Sequence, residues 1–202
     1  MERSPLRWQK GRLPLILMAW ILFLPSSCKK HKTGPTDVYE HWSRAVLAHD
    51  CGRIYRLLDE KSRWAVMSAA RDTAKAAAII QKSYPENRKA EELSKLGVQV
   101  ADGKPEAYFE SICRRHHYPR LLAPTAGKIT AITVVGDKAH VVTDKKTRVL
   151  LTRDQYGRWG CTALKDQVVR RQLVAANFLK IVEQNAKVFH GAAAHGTSPE
   201  TK

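Results

Sequence analysis

The sequence predicts an α+β domain, and three observations predict it. Apolar residues recur at helical spacing from residue 36 to about 117, β-branched residues alternate over short stretches between 129 and 163, and helical spacing returns from Asp166. Helices first, then consecutive strands, then one more helix describe N-terminal helices covering one face of a short antiparallel β-meander, with a C-terminal helix to follow.

Each element has a local reason. Thr36 or Asp37 caps a first helix whose Val38, Trp42, Ala45, Val46 and His49 share one face. Asp50 starts a second helix over 52–58, with Ile54, Leu57 and Leu58 inward. The third covers 60–82, and its apolar stripe is Trp64, Met67, Ala70, Ala74, Ala77 and Ile80, rich in the best helix former. Pro85 ends it; a fourth helix, 86–96, is closed by Gly97. Pro105 suits the first turn of a fifth, which runs through Tyr108, Phe109 and Ile112 towards His117 until Pro119 stops it.

The period then changes. Ile129, Ala131 and Thr133 alternate with Thr130, Ile132 and Val134, and Gly136-Asp137 marks a tight turn. Further strands are predicted over 139–142, 147–152 and 158–163, the last after a turn at 154–157. Asp166 introduces the final helix, to about Phe189, with Val169, Leu173, Ala176, Phe178, Leu179 and Val182 apolar. From His190 onward periodicity is absent, and a disordered tail, 190–202, is expected.

The N-terminus carries an address. Arg3, Arg7, Lys10 and Arg12 oppose one acid, Glu2, before an uncharged and largely apolar run over 13–24. A core of about 7–15 apolar residues after a basic start is the size of a signal peptide, whereas a spanning helix needs roughly 20. Pro25, Ser26 and Ser27 lead into Cys28. This end resembles the lipobox of bacterial lipoproteins, whose cysteine is acylated and becomes the mature N-terminus. Pro25 stands where that pattern prefers Leu, and Leu24 lies one step earlier. The resemblance implies lipidation at Cys28, a signal peptide over 1–27 and a flexible linker over 28–37, and the remaining length suits a single domain over 38–189. An ordinary cleaved signal peptide and an uncleaved anchor are the alternatives. Lys29 and Lys30 stand where some bacteria place the aspartate that retains lipoproteins at the inner membrane, which points to the outer membrane, facing the periplasm.

Charge and cysteines narrow the setting. The chain of 202 residues carries +16, and residues 1–27 hold four basic side chains and one acid, so about +13 belongs to the remaining 175. A charge of this size attracts anionic envelope components at long range, and in that compartment nucleic acid is not an expected partner. Another envelope protein is the other partner class considered. Clustered arginines, which fork onto phosphate and carboxylate, are the candidate anion sites: Arg114, Arg115 and Arg120, and Arg170 with Arg171. The plainer reading of both clusters is a solvated face. Cys51, Cys113 and Cys161 allow one disulfide and one free thiol in an oxidising compartment; Cys113–Cys161 is the favoured pair, through a helix packing on the sheet.

The stretch 42–63, WSRAVLAHDCGRIYRLLDEKSR, resembles the opening of NTF2-like domains at Trp42, Leu47, Asp50, Tyr55, Leu58 and Asp59. The resemblance implies a curved sheet wrapped around helices to enclose a cone-shaped pocket, which some members use for catalysis and others for binding. A catalytic member would need an Asp and His pair inside that cone.

Other constellations are weaker. Cys113, His116 and His117 share a helical face and are zinc-ligand types, but a fourth ligand is missing and Arg114 and Arg115 oppose a cation. No metal and no cofactor are expected. Phosphate-binding loops, the H-E-x-x-H helix and the nucleophile elbow have no counterpart in the sequence. The function expected is therefore a membrane-anchored periplasmic lipoprotein with a non-enzymatic interaction or small-ligand-binding domain. The alternative is a small periplasmic enzyme using an NTF2-like pocket.

Overall fold

A computed structural model describes residues 33–96 and 103–194. The signal peptide, residues 28–32 of the predicted linker with Cys28, Gly97 and residues 195–202 lie outside the described residues. The class is α+β, as the sequence predicts: helices, a four-stranded antiparallel sheet and a last helix.

Helix α1 (Pro35–Leu47) starts three residues ahead of the predicted domain boundary at 38, because Pro35 fits a first turn and Asp37 accepts the N–H of Gly34 at 2.9 Å. Its inward face is Val38, Tyr39, Trp42, Ala45 and Val46, while His49 is exposed, with φ 54° at the turn into the next helix. Asp50 caps α2 (Cys51–Arg56) by accepting the N–H of Arg53 at 2.8 Å. Leu58 lies just beyond and is buried.

Helix α3 (Glu60–Ser83) has the predicted bounds to within a residue, but its face is rotated. Ala70, Ala77 and Ile80 go inward as predicted, joined by Ser62, Ala65, Val66, Ala69, Thr73 and Ala76, whereas Trp64 and Met67 are 59% and 40% exposed. An alanine-rich helix carries small apolar side chains all round, so the pattern does not select one stripe. Helix α4 (Glu86–Leu96) matches its prediction. Helix α5 (Pro105–Arg115) stops earlier than predicted: His117 takes a left-handed φ of 50°, and Pro119 sits in the first turn of α6 (Tyr118–Leu122) instead of ending α5.

Strands β1 (Ile129–Val135), β2 (Lys138–Thr143), β3 (Arg148–Arg153) and β4 (Trp159–Cys161) pair in sequence order. Gly136, with φ 60°, makes the tight β1–β2 turn. Ala139, Val141, Val149, Leu151 and Cys161 face the helices and share one core with Trp42, Ile54, Leu58 and Phe109. β1 extends past this cover, and every residue from Thr130 to Val135 is exposed.

Gly160 admits β4 to the α2–α3 junction. A Cβ there would stand 2.5 Å from Cα of Asp59, so only glycine fits. The backbone of Cys161 donates to Leu57 O at 2.8 Å and accepts from Asp59 N at 3.0 Å. Tyr39 fastens α1 to the approach to β1, its hydroxyl accepting from Gly127 N at 3.0 Å and lying 2.8 Å from Thr125 O.

Helix α7 (Lys165–Ala194) lies along α3. Val168, Ala175, Leu179, Val182 and Ala186 are its buried positions, whereas Leu173, predicted inward, is 60% exposed. It continues past Phe189 to Ala194, so residues 190–194 are helical where a disordered tail is predicted. Alanines at 192–194 supply the propensity that the missing apolar period does not reveal.

Candidate anion-binding cavity

The disulfide expected between Cys113 and Cys161 is instead formed by Cys51 and Cys113, whose Cα atoms are 6.0 Å apart. Packing decides this: α2 lies directly on α5, while the β4 backbone holds Cys161 against the α2–α3 junction. Cys161 is free and buried. Burial pushes its thiol pKa up to about 12, so it remains a protonated core side chain.

A cavity of about 110 Å³ opens between α3, α4, α5 and α7. Ile112, Val174, Ala175 and Phe178 form its apolar wall. Thr73, Tyr108, Arg115, His116 and Arg171 supply its polar groups, and Lys95 closes the α4 side. All of these come from helices or their caps and none from the sheet, so the cavity is not a cone enclosed by strands. The end of α5 sets the geometry. Arg115 is its last residue, His116 its cap, and the left-handed turn at His117 redirects the chain into α6.

Arg171 is the central group. It is half-buried in the second turn of α7, and its Nη2 donates to Nε2 of His116. The His116 ring stacks on Tyr118, 5.9 Å between centroids. Among the described residues no carboxylate lies within ion-pair distance of Arg171. Burial, then the charges of Arg171 and Arg115, hold the His116 pKa below its ordinary 6.5, so the ring is neutral and accepts from the guanidinium. Burial also raises the Tyr108 and Tyr118 hydroxyls, against the opposing pull of Arg171, and both stay protonated. The cavity thus offers hydrogen-bond donors and unspent positive charge beside an apolar wall.

No known protein family, curated protein or solved structure matches this chain.

The five candidate arginines separate. Arg115 and Arg171 share the cavity. Arg170 is exposed and faces an adjoining cleft of about 330 Å³ with Arg171 and Asp166. Arg114 is paired with Glu110 at 3.0 Å and lies with Arg120 in a third cleft, beside the Cys51–Cys113 bridge. Cys113 is spent in the disulfide and His117 is exposed; among the described residues no group of three metal-ligating side chains forms. Sequence reasoning missed Thr73, Tyr108 and Lys95. Tyr108 read as core, and nothing local shows that Thr73, 35 positions earlier, lines the same space. The enzyme alternative calls for an aspartate beside a histidine, and the described lining contains His116 without an Asp or Glu.

Proposed function

We propose that this chain is a lipid-anchored lipoprotein of the cell envelope, acylated at Cys28 and facing the periplasm, whose α+β domain binds a small organic anion in the helical cavity. The observation that carries the binding half is Arg171, a half-buried guanidinium beside an apolar wall with no carboxylate within ion-pair distance among the described residues. Removing a charge from water without a partner is unfavourable, and an anionic ligand supplies the partner. The ligand is short: pockets for drug-sized molecules run about 300–1,000 Å³, and this one offers about 110 Å³. A carboxylate or phosphate with a few methylenes fits both wall and charge. The export half draws on the signal-like N-terminus and on the Cys51–Cys113 bridge, which belongs to oxidising compartments.

Hexanoate and hexyl phosphate, titrated calorimetrically into the protein, test the binding. At least one is expected to bind, and Arg171→Ala to weaken it tenfold or more without loss of helical signal. Affinity for hexanoate should rise as the pH is lowered from neutral, because a bound anion raises the depressed His116 pKa and the complex takes up a proton. Absence of binding by both acids, or binding indifferent to Arg171, contradicts the proposal.

A further inference from the structure

A second site lies on the far side of α3. Trp64 and Met67, the two large apolar side chains of α3 that are exposed, are 59% and 40% accessible there. They line an open cleft of about 600 Å³ with Tyr55 of α2 and with Gln155, Tyr156 and Arg158 of the β3–β4 turn. Tyr156 is 71% exposed yet held in place. Asp154, whose side chain is 2% exposed, accepts the backbone N–H of Tyr156 at 3.0 Å and of Arg158 at 2.9 Å, and Gly157 takes φ 81° to close the turn. The Arg158 guanidinium sits 5.7 Å from the Tyr156 ring centre and braces one face of it. An exposed aromatic fixed in this way loses little freedom when something packs on it.

Charge distinguishes this cleft from the cavity at Arg171. Each of its arginines already has a carboxylate: Arg56 with Glu106, Arg63 with Asp154 at 3.7 Å, and Arg158 with Asp154 at 2.9 Å. Glu60 adds a further acid to the lining. An anion gains little here. What remains is a pair of exposed aromatic faces, a thioether, and a rim of N–H donors and carboxyl and amide acceptors.

We infer that this cleft binds a saccharide chain, with pyranose C–H faces on Trp64 and Tyr156 and ring hydroxyls on the Gln155, Arg158 and Glu60 rim. A sugar ring is neutral, has an apolar face and a hydroxyl edge, and matches each part of that surface. The inference is independent of the anion reading.

Calorimetric titration of the full chain in detergent with tetramers of N-acetylglucosamine and of glucose tests it. Binding of at least one is expected. Trp64→Ala and Tyr156→Ala, both exposed positions, should each weaken it at least tenfold, while Arg171→Ala leaves it unchanged. No binding of either tetramer overturns the inference, as does binding that survives both aromatic substitutions. Capture of anionic vesicles that Trp64→Ala abolishes would assign the cleft to a membrane surface and overturn it equally.

Discussion

Trp42→Ala is expected to cost the fold about 3–5 kcal/mol, the usual range for deleting a buried aromatic side chain. Trp42 is fully buried in α1 and joins the helices to the inner face of the sheet within one core. Domains of this size are stable by about 5–15 kcal/mol in total, so the variant should be marginal at room temperature. Trp42→Phe separates packing from polarity. Nε1 of Trp42 is buried without a hydrogen-bond partner, so phenylalanine forfeits no hydrogen bond and should cost less than about 2 kcal/mol. Urea unfolding followed by circular dichroism measures both. Equal losses for Phe and Ala would mean that the indole N–H, not the ring's volume, matters.

Loss of the disulfide is the other large effect. Cys51 and Cys113 enclose a separation of 62 residues. The chain-entropy argument gives about 4 kcal/mol for such a loop, and measured removals typically cost about 2–5. Cys51→Ala with Cys113→Ala is therefore expected to lower the unfolding free energy by about 2–4 kcal/mol, and a reductant should destabilise the parent protein but not this variant. Cys161 does not substitute as a partner, since its thiol is buried and protonated. Thiol counting on unreduced protein carrying Cys28→Ser should find no reactive group when folded and one when denatured. Insensitivity of the parent to reductant would contradict the bridge.

Much of the fold is legible because local signals agree with it. Asp50, Pro85 and Pro105 mark helix ends by what proline and aspartate do to a backbone, and Gly136-Asp137 marks a turn for the same kind of reason. What failed is what depends on distant partners. The alanine-rich α3 has no unique apolar face until α5 and α7 pack on it, so Trp64 and Met67 read as core. The expected Cys113–Cys161 pair does not form because the close approach of Gly160 to Asp59 is a tertiary fact. The cavity is half legible: Arg115 and Arg171 stand out as members of basic pairs, but their meeting across α5 and α7 leaves no mark in the sequence. Tyr156 sits at a turn that the sequence does announce, and only its 71% exposure distinguishes it from a core tyrosine.

Metabolic labelling with palmitate in a bacterial host tests the proposed lipid anchor at Cys28. Two acyl chains or more are needed for a stable anchor, at about 0.8 kcal/mol per buried methylene, so labelling should accompany firm membrane association. Labelled palmitate is expected to enter the chain, and Cys28→Ser to abolish the label and leave a soluble or uncleaved form. Label that persists unchanged in Cys28→Ser, or a parent chain that takes up none, would contradict the claim.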